Sequence, residues 1–109
     1  MIAYKIFRRH PSGLTSLIIY DKYKVIYHKD KINKRKDGCG GFACFNSMIN
    51  LIKFQELKGW KNKILFPVYE VDITLCKKQL LYSPEHDPLR QLPIGTIVAE
   101  TLKIIREIE

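Results

Sequence analysis

At 109 residues and a net charge of +8, the chain has the length of one domain, enough to bury a core without a metal or a disulfide. Hydrophobic residues at 46% and charged residues at 28% exclude the polar, aromatic-poor composition of a disordered segment. No apolar run approaches the roughly 18 residues that cross a bilayer. The first segment, MIAYKIFRRHPSG, places its cations after its apolar residues, the reverse of a secretory signal. The expectation is an intracellular protein, in the host cytoplasm if viral, with no membrane partner. Three cysteines, Cys39, Cys44 and Cys76, are an odd set in irregular spacing, which fits thiols in a reducing compartment.

The position of the charge is more informative than its size. Residues 1–38 hold ten Lys and Arg against three Asp, a net +7, whereas the remaining 71 residues hold nine basic and eight acidic side chains. The excess lies in the first third.

Residues 2–8, IAYKIFR, alternate, with Ile2, Tyr4 and Ile6 on one face and Lys5 and Phe7 on the other, the pattern of a strand. Pro11, Ser12 and Gly13 supply a turn. Residues 14–20 and 23–29 are two further β-rich runs around Asp21 and Lys22, the length of a tight hairpin loop whose turn type stays open. Residues 30–41, DKINKRKDGCGG, read as an exposed basic loop. Phe42 to Phe45 suggest a short strand. Asn46 or Ser47 then caps a helix over about residues 46–58, packed through Met48, Leu51 and Ile52 and ended near Gly59.

Residues 63–73 return to alternation, with Val68, Glu70 and Asp72 opposite Tyr69, Val71 and Ile73, and Pro67 marks a strand start, an edge or a bulge. Residues 74–93 read as a short element and then loop. In GTIVAETLKIIREIE the spacing of Ile97, Glu100, Ile104 and Glu107 permits a helix, but the β-branched density favours two short strands around Glu100 and Thr101. The fold expected is a single α+β domain, 1–109: a twisted, mainly antiparallel sheet with one dominant helix, at about 46–58.

The order YKIFRR, GGFACFNSMINLIKF, PVYEVDI and GTIVAETLKIIREIE resembles small uncharacterised phage and viral proteins, a resemblance that implies a source and a topology but no activity. More distantly the order is similar to ADP-ribosyltransferase-like domains. That similarity implies a nicotinamide dinucleotide gripped near Arg8 or His10, a pocket wall at Gly41 and Phe42, and a late catalytic glutamate at Glu100. The chain departs from those domains in having no His-x-Thr or Ser-Thr-Ser signature.

Among candidate sites, Cys39, Cys44, Cys76 and His86 have ligand chemistry for zinc, but only one short spacing is local and Cys44 sits in an apolar stretch, so buried or incidental thiols are expected. Gly38, Gly40 and Gly41 lack the spacing of a phosphate loop and read as a hinge. No cofactor, metal or catalytic residue is called for. The best candidate surface is nucleic-acid-binding, formed by Arg8, Arg9, Lys29, Lys31, Lys34, Arg35 and Lys36, with Tyr23, Tyr27 and His28 as rings that could stack on bases. Its competing meaning is ordinary loop decoration over buried strand tyrosines. The expected function is that of a small viral or phage accessory protein acting by binding rather than catalysis. The partner is nucleic acid or another polyanion; the alternatives are an ADP-ribosyltransferase-like enzyme and a module for a host protein or viral assembly.

Overall fold

The computed structural model describes residues 1–16, 26–34, 42–77 and 94–109. Eight strands and one helix appear among them: β1 (Ile2–Ile6), β2 (Arg8–His10), β3 (Gly13–Thr15), β4 (Ile26–Tyr27), β5 (Asn33–Lys34), β6 (Phe42–Phe45), α1 (Met48–Lys58), β7 (Val68–Leu75) and β8 (Thr96–Ile108). All pairings are antiparallel. The Cα radius of gyration, 12.8 Å, is that of one packed body at this length.

The main sheet closes on itself. β7 pairs with β1 along one edge and with β8 along the other, while β6 pairs with β8 and, through Tyr4 opposite Phe45, with β1. Four strands thereby form a ring, and β5 extends it by pairing Asn33 with Leu102 and Lys34 with Thr101. A second sheet, β2-β3-β4, continues from β1 beyond Phe7.

Period-2 alternation sorts side chains to the two surfaces of this ring. Ala3, Phe7, Phe42, Cys44, Tyr69, Val71, Ile73, Ala99, Leu102 and Ile104 fill one buried cluster with Leu14 and Tyr27 of the second sheet. Phe7 meets Tyr27 and Tyr69 edge-on at centroid distances of 4.8 and 5.6 Å, and Tyr27 meets Phe42 at 5.3 Å. On the opposite surface Ile6, Phe45 and Val68 cluster with Leu51 of α1.

The helix follows its caps. Ser47, in extended conformation, accepts from the Asn50 N–H, and Gly59 ends the helix at φ 72° with its N–H on the Gln55 carbonyl. The expected bounds of 46–58 therefore shorten to 48–58, because Asn46 and Ser47 precede the first helical residue. Leu51 is 0% exposed and Met48 and Phe54 pack beside it, but Ile52 is 45% exposed. The packing expected of Ile52 is supplied by Phe54, whose ring lies 5.2 Å from Phe45 and 5.5 Å from Trp60.

Two other expectations change. The C-terminal segment is one strand of 13 residues rather than two. Register shifts opposite Glu70/Val71 and Thr74/Leu75 leave Ile105 and Glu100 as extra residues in β8, and a bulge bends a strand without ending it. Within 30–41, Asn33 and Lys34 are strand, and Asn33 is buried. The coarse α+β expectation stands, with strands predominating. The predicted hairpin turn at Asp21 and Lys22 lies outside the described residues, although β3 and β4 do pair, Leu14 opposite Tyr27. Of the described part of the predicted 74–93 element, residues 74–77, Thr74 and Leu75 complete β7.

Candidate nucleic-acid interface

The predicted cations divide into two groups. Arg9 is held by the scaffold: its N–H donates to the Leu65 carbonyl at 2.8 Å, its Nε to the Ile64 carbonyl at 2.8 Å, and its guanidinium lies 3.4 Å from Glu107. Arg8 is half-buried, its guanidinium carbon 5.7 Å from the Phe66 ring. Both therefore link the segment before β7 to the start of the second sheet, Arg8 half-buried and Arg9 still exposed.

Lys29, Lys31 and Lys34 are exposed, and among the described residues none of them is ion-paired with a carboxylate. Lys29 and Lys31 occupy the turn from β4 into β5, with Asp30 between them, and Lys34 is the second residue of β5. Lys29 Nζ stands 5.5 Å from the Tyr69 ring, whose hydroxyl donates to Glu107 at 3.0 Å, the carboxylate that also meets Arg9. Lys29 and Arg9 thus converge on Tyr69 and Glu107 from distant parts of the sequence. Arg35, Lys36, Cys39, Tyr23 and His86 lie outside the described residues.

Lys103 belongs to the same surface and is absent from the predicted set. Lys34 is opposite Thr101, and Lys103 lies two residues further along β8 on the same outward face, a diagonal neighbour in an antiparallel pair. The alternation of exposed Lys103 with buried Leu102 and Ile104 was its only sequence signal.

Tyr27 is not a stacking platform. It is 5% exposed, enclosed by Phe7 and Phe42, and burial holds its phenol well above the ordinary range. His28 is exposed. Of the predicted rings among the described residues, His28 is therefore the one that stands exposed beside these cations.

The ring interior holds a second polar group that composition concealed. Lys5 is 8% exposed, donates to the Ala43 carbonyl at 2.6 Å, and stands 5.7 Å from each of the Phe7 and Tyr27 rings. The bond ties β1 to β6 where one register pair, Tyr4 with Phe45, is formed. Desolvation lowers the Lys5 pKa, with the nearby Cys44 acting in the opposite sense; burial pushes the Cys44 thiol up to about 11, against a smaller pull from Lys5.

Arg8, Phe42 and Glu100 do not gather. Phe42 pairs with Ala99, next to Glu100, but Arg8 follows Phe7, whose N–H bonds the Pro67 carbonyl just before β7, whereas Glu100 bulges opposite Thr74/Leu75 at its far end. The eight residues from Val68 to Leu75 span roughly 23 Å of strand. Among the described residues no group of three or more His, Cys, Asp and Glu side chains is placed to hold a metal, and no helix is long and apolar enough to cross a membrane. Cys44 and Cys76 are both thiols, the first buried and the second half-buried.

Comparisons with family models, with curated proteins and with solved structures returned no match to this chain.

Proposed function

We propose that this chain is a polyanion-binding accessory protein, of the viral or phage kind its segment order resembles, and that nucleic acid is its first candidate partner. The observation that carries the reading is the β4–β5 hairpin, where Lys29 and Lys31 in the turn and Lys34 in β5 stand exposed and, among the described residues, without carboxylate partners. In sequence Arg35 and Lys36 follow directly. Cations on a short, held turn, with Tyr27 buried beneath them, suit contact with phosphates rather than reading of base edges.

The binding reaction is an ion exchange. Each phosphate neutralised by a lysine releases condensed counterions, so affinity falls steeply with salt and depends weakly on sequence. Anisotropy titrations of a labelled duplex across a salt series test this. Replacing Lys29, Lys31 and Lys34 together with Ser is expected to reduce the slope of log affinity against log salt by about two to three. Arg9→Ser is expected to lower stability and leave the slope nearly unchanged. A triple variant with the unaltered slope, or no binding by the unaltered protein at low salt, overturns the proposal and favours a protein partner.

A further inference from the structure

The lysine turn owes its shape to one buried amide. Asn33 is 7% exposed and pairs with Leu102 of β8. Its Oδ1 accepts from the His28 N–H at 2.8 Å, and its Nδ2 donates to the carbonyls of His28 at 3.0 Å, Lys31 at 3.3 Å and Leu102 at 3.1 Å. One donor N–H and three carbonyls fix which end of the carboxamide points where. Three of these contacts close the turn on itself and the fourth fastens it to the ring.

Hydropathy is inverted at this place. Ile32 is 59% exposed while the neighbouring Asn33 is buried. A buried side-chain amide is stabilising only when its hydrogen bonds are made, and here they are made to the backbone that carries Lys29 and Lys31. We infer that Asn33 is the positioning residue of the polyanion surface: its carboxamide locks residues 28–32 onto β8 so that the lysines meet a phosphodiester backbone already ordered.

The inference rests on the polyanion reading and separates presentation of the lysines from their charge. Ordering side chains and a turn at the moment of binding reduces affinity, whereas a preformed turn avoids that cost. Asn33→Ala retains every cation, so its salt slope should equal that of the unaltered protein while affinity for a duplex falls about tenfold. Lys29→Ser with Lys31→Ser changes the slope itself. Adding Asn33→Ala to that double variant should produce no further loss, because no lysines remain in the turn to be positioned.

Hydrogen exchange gives a readout independent of binding. The His28 amide, which donates to Asn33, should exchange at least about tenfold faster in Asn33→Ala, while amides of β7 keep their protection. Asn33→Ser replaces it in the same cycle if Asn33→Ala does not fold. Unchanged exchange at His28, unchanged duplex affinity, or an equal loss in the Lys29→Ser/Lys31→Ser background each overturns the inference alone. Absence of duplex binding by the unaltered protein overturns the polyanion reading and the inference with it.

Discussion

Cys44 makes the fold sensitive to alkali. Its side chain is 0% exposed inside the ring, its thiol points to the Phe42 carbonyl at 3.8 Å, and burial raises its pKa from 9.0 to about 11. A group whose folded pKa is raised holds its proton more tightly in the native state. Its stabilisation is fully present below the unfolded pKa, near 9, and is lost as pH rises through about 11. The interval corresponds to about 2.7 kcal/mol, most of it lost by about pH 11. Urea unfolding of the native chain and Cys44→Ala at about pH 8 and about pH 11 measures it. The native chain should lose roughly 2 kcal/mol more than the variant between the two conditions. Tyr27 remains in both proteins, and its raised phenol contributes a loss of the same sign to each. Burial is the larger cause of the Tyr27 and Lys5 shifts and Cys44 the smaller, so the difference reports the thiol together with its coupling to those two groups. Equal losses in the two proteins would refute the reasoning, as would rapid alkylation of Cys44 in the folded state.

Leu51→Ala should destabilise by about 2–5 kcal/mol, since Leu51 joins α1 to Ile6, Phe45 and Val68; Ile52→Ala, on the exposed side, should change chemical-denaturation midpoints little, and the contrast tests the helix orientation. Gly95→Ala should cost about 1–3 kcal/mol, because Gly95 has φ +84° and a methyl there would overlap the Asn50 side chain. Thermal unfolding with no change would place that turn elsewhere.

Local chemistry made some elements legible and concealed others. Asn46 or Ser47 at one end and Gly59 at the other bracketed the helix, and strict alternation in β7 separated Tyr69, Val71 and Ile73 from Glu70 and Asp72, as the burial pattern shows. The two faces of β1 were equally readable. That the Lys5 face is the inside of a closed ring was not, since closure depends on β8 pairing at once with β6 and β7. In β8 the bulge at Glu100 sets Ala99 and Leu102 three residues apart on the buried side, which imitates helical spacing. β5 was hidden because its buried residue is polar and its apolar neighbour is exposed. Of the candidate site, the lysines were visible as charge, but the commitment of Arg9 to Ile64 and Glu107 arises from contacts distant in sequence.

The closed ring also dictates the order in which the molecule can fold. β1 finds its longest partner only when Val68–Leu75 has emerged, and the ring closes between β6 and β7, on the side away from β1, only with Thr96–Ile108. Contacts of such long sequence separation form late and slow the search for the native state. During synthesis β6 and β7 each leave a strand edge unpaired, which is the form most prone to pair with another chain. The final strand therefore acts as a latch: its arrival removes both open edges in one event, and a change in β8 should impair the yield of folded protein more than its equilibrium stability alone would suggest.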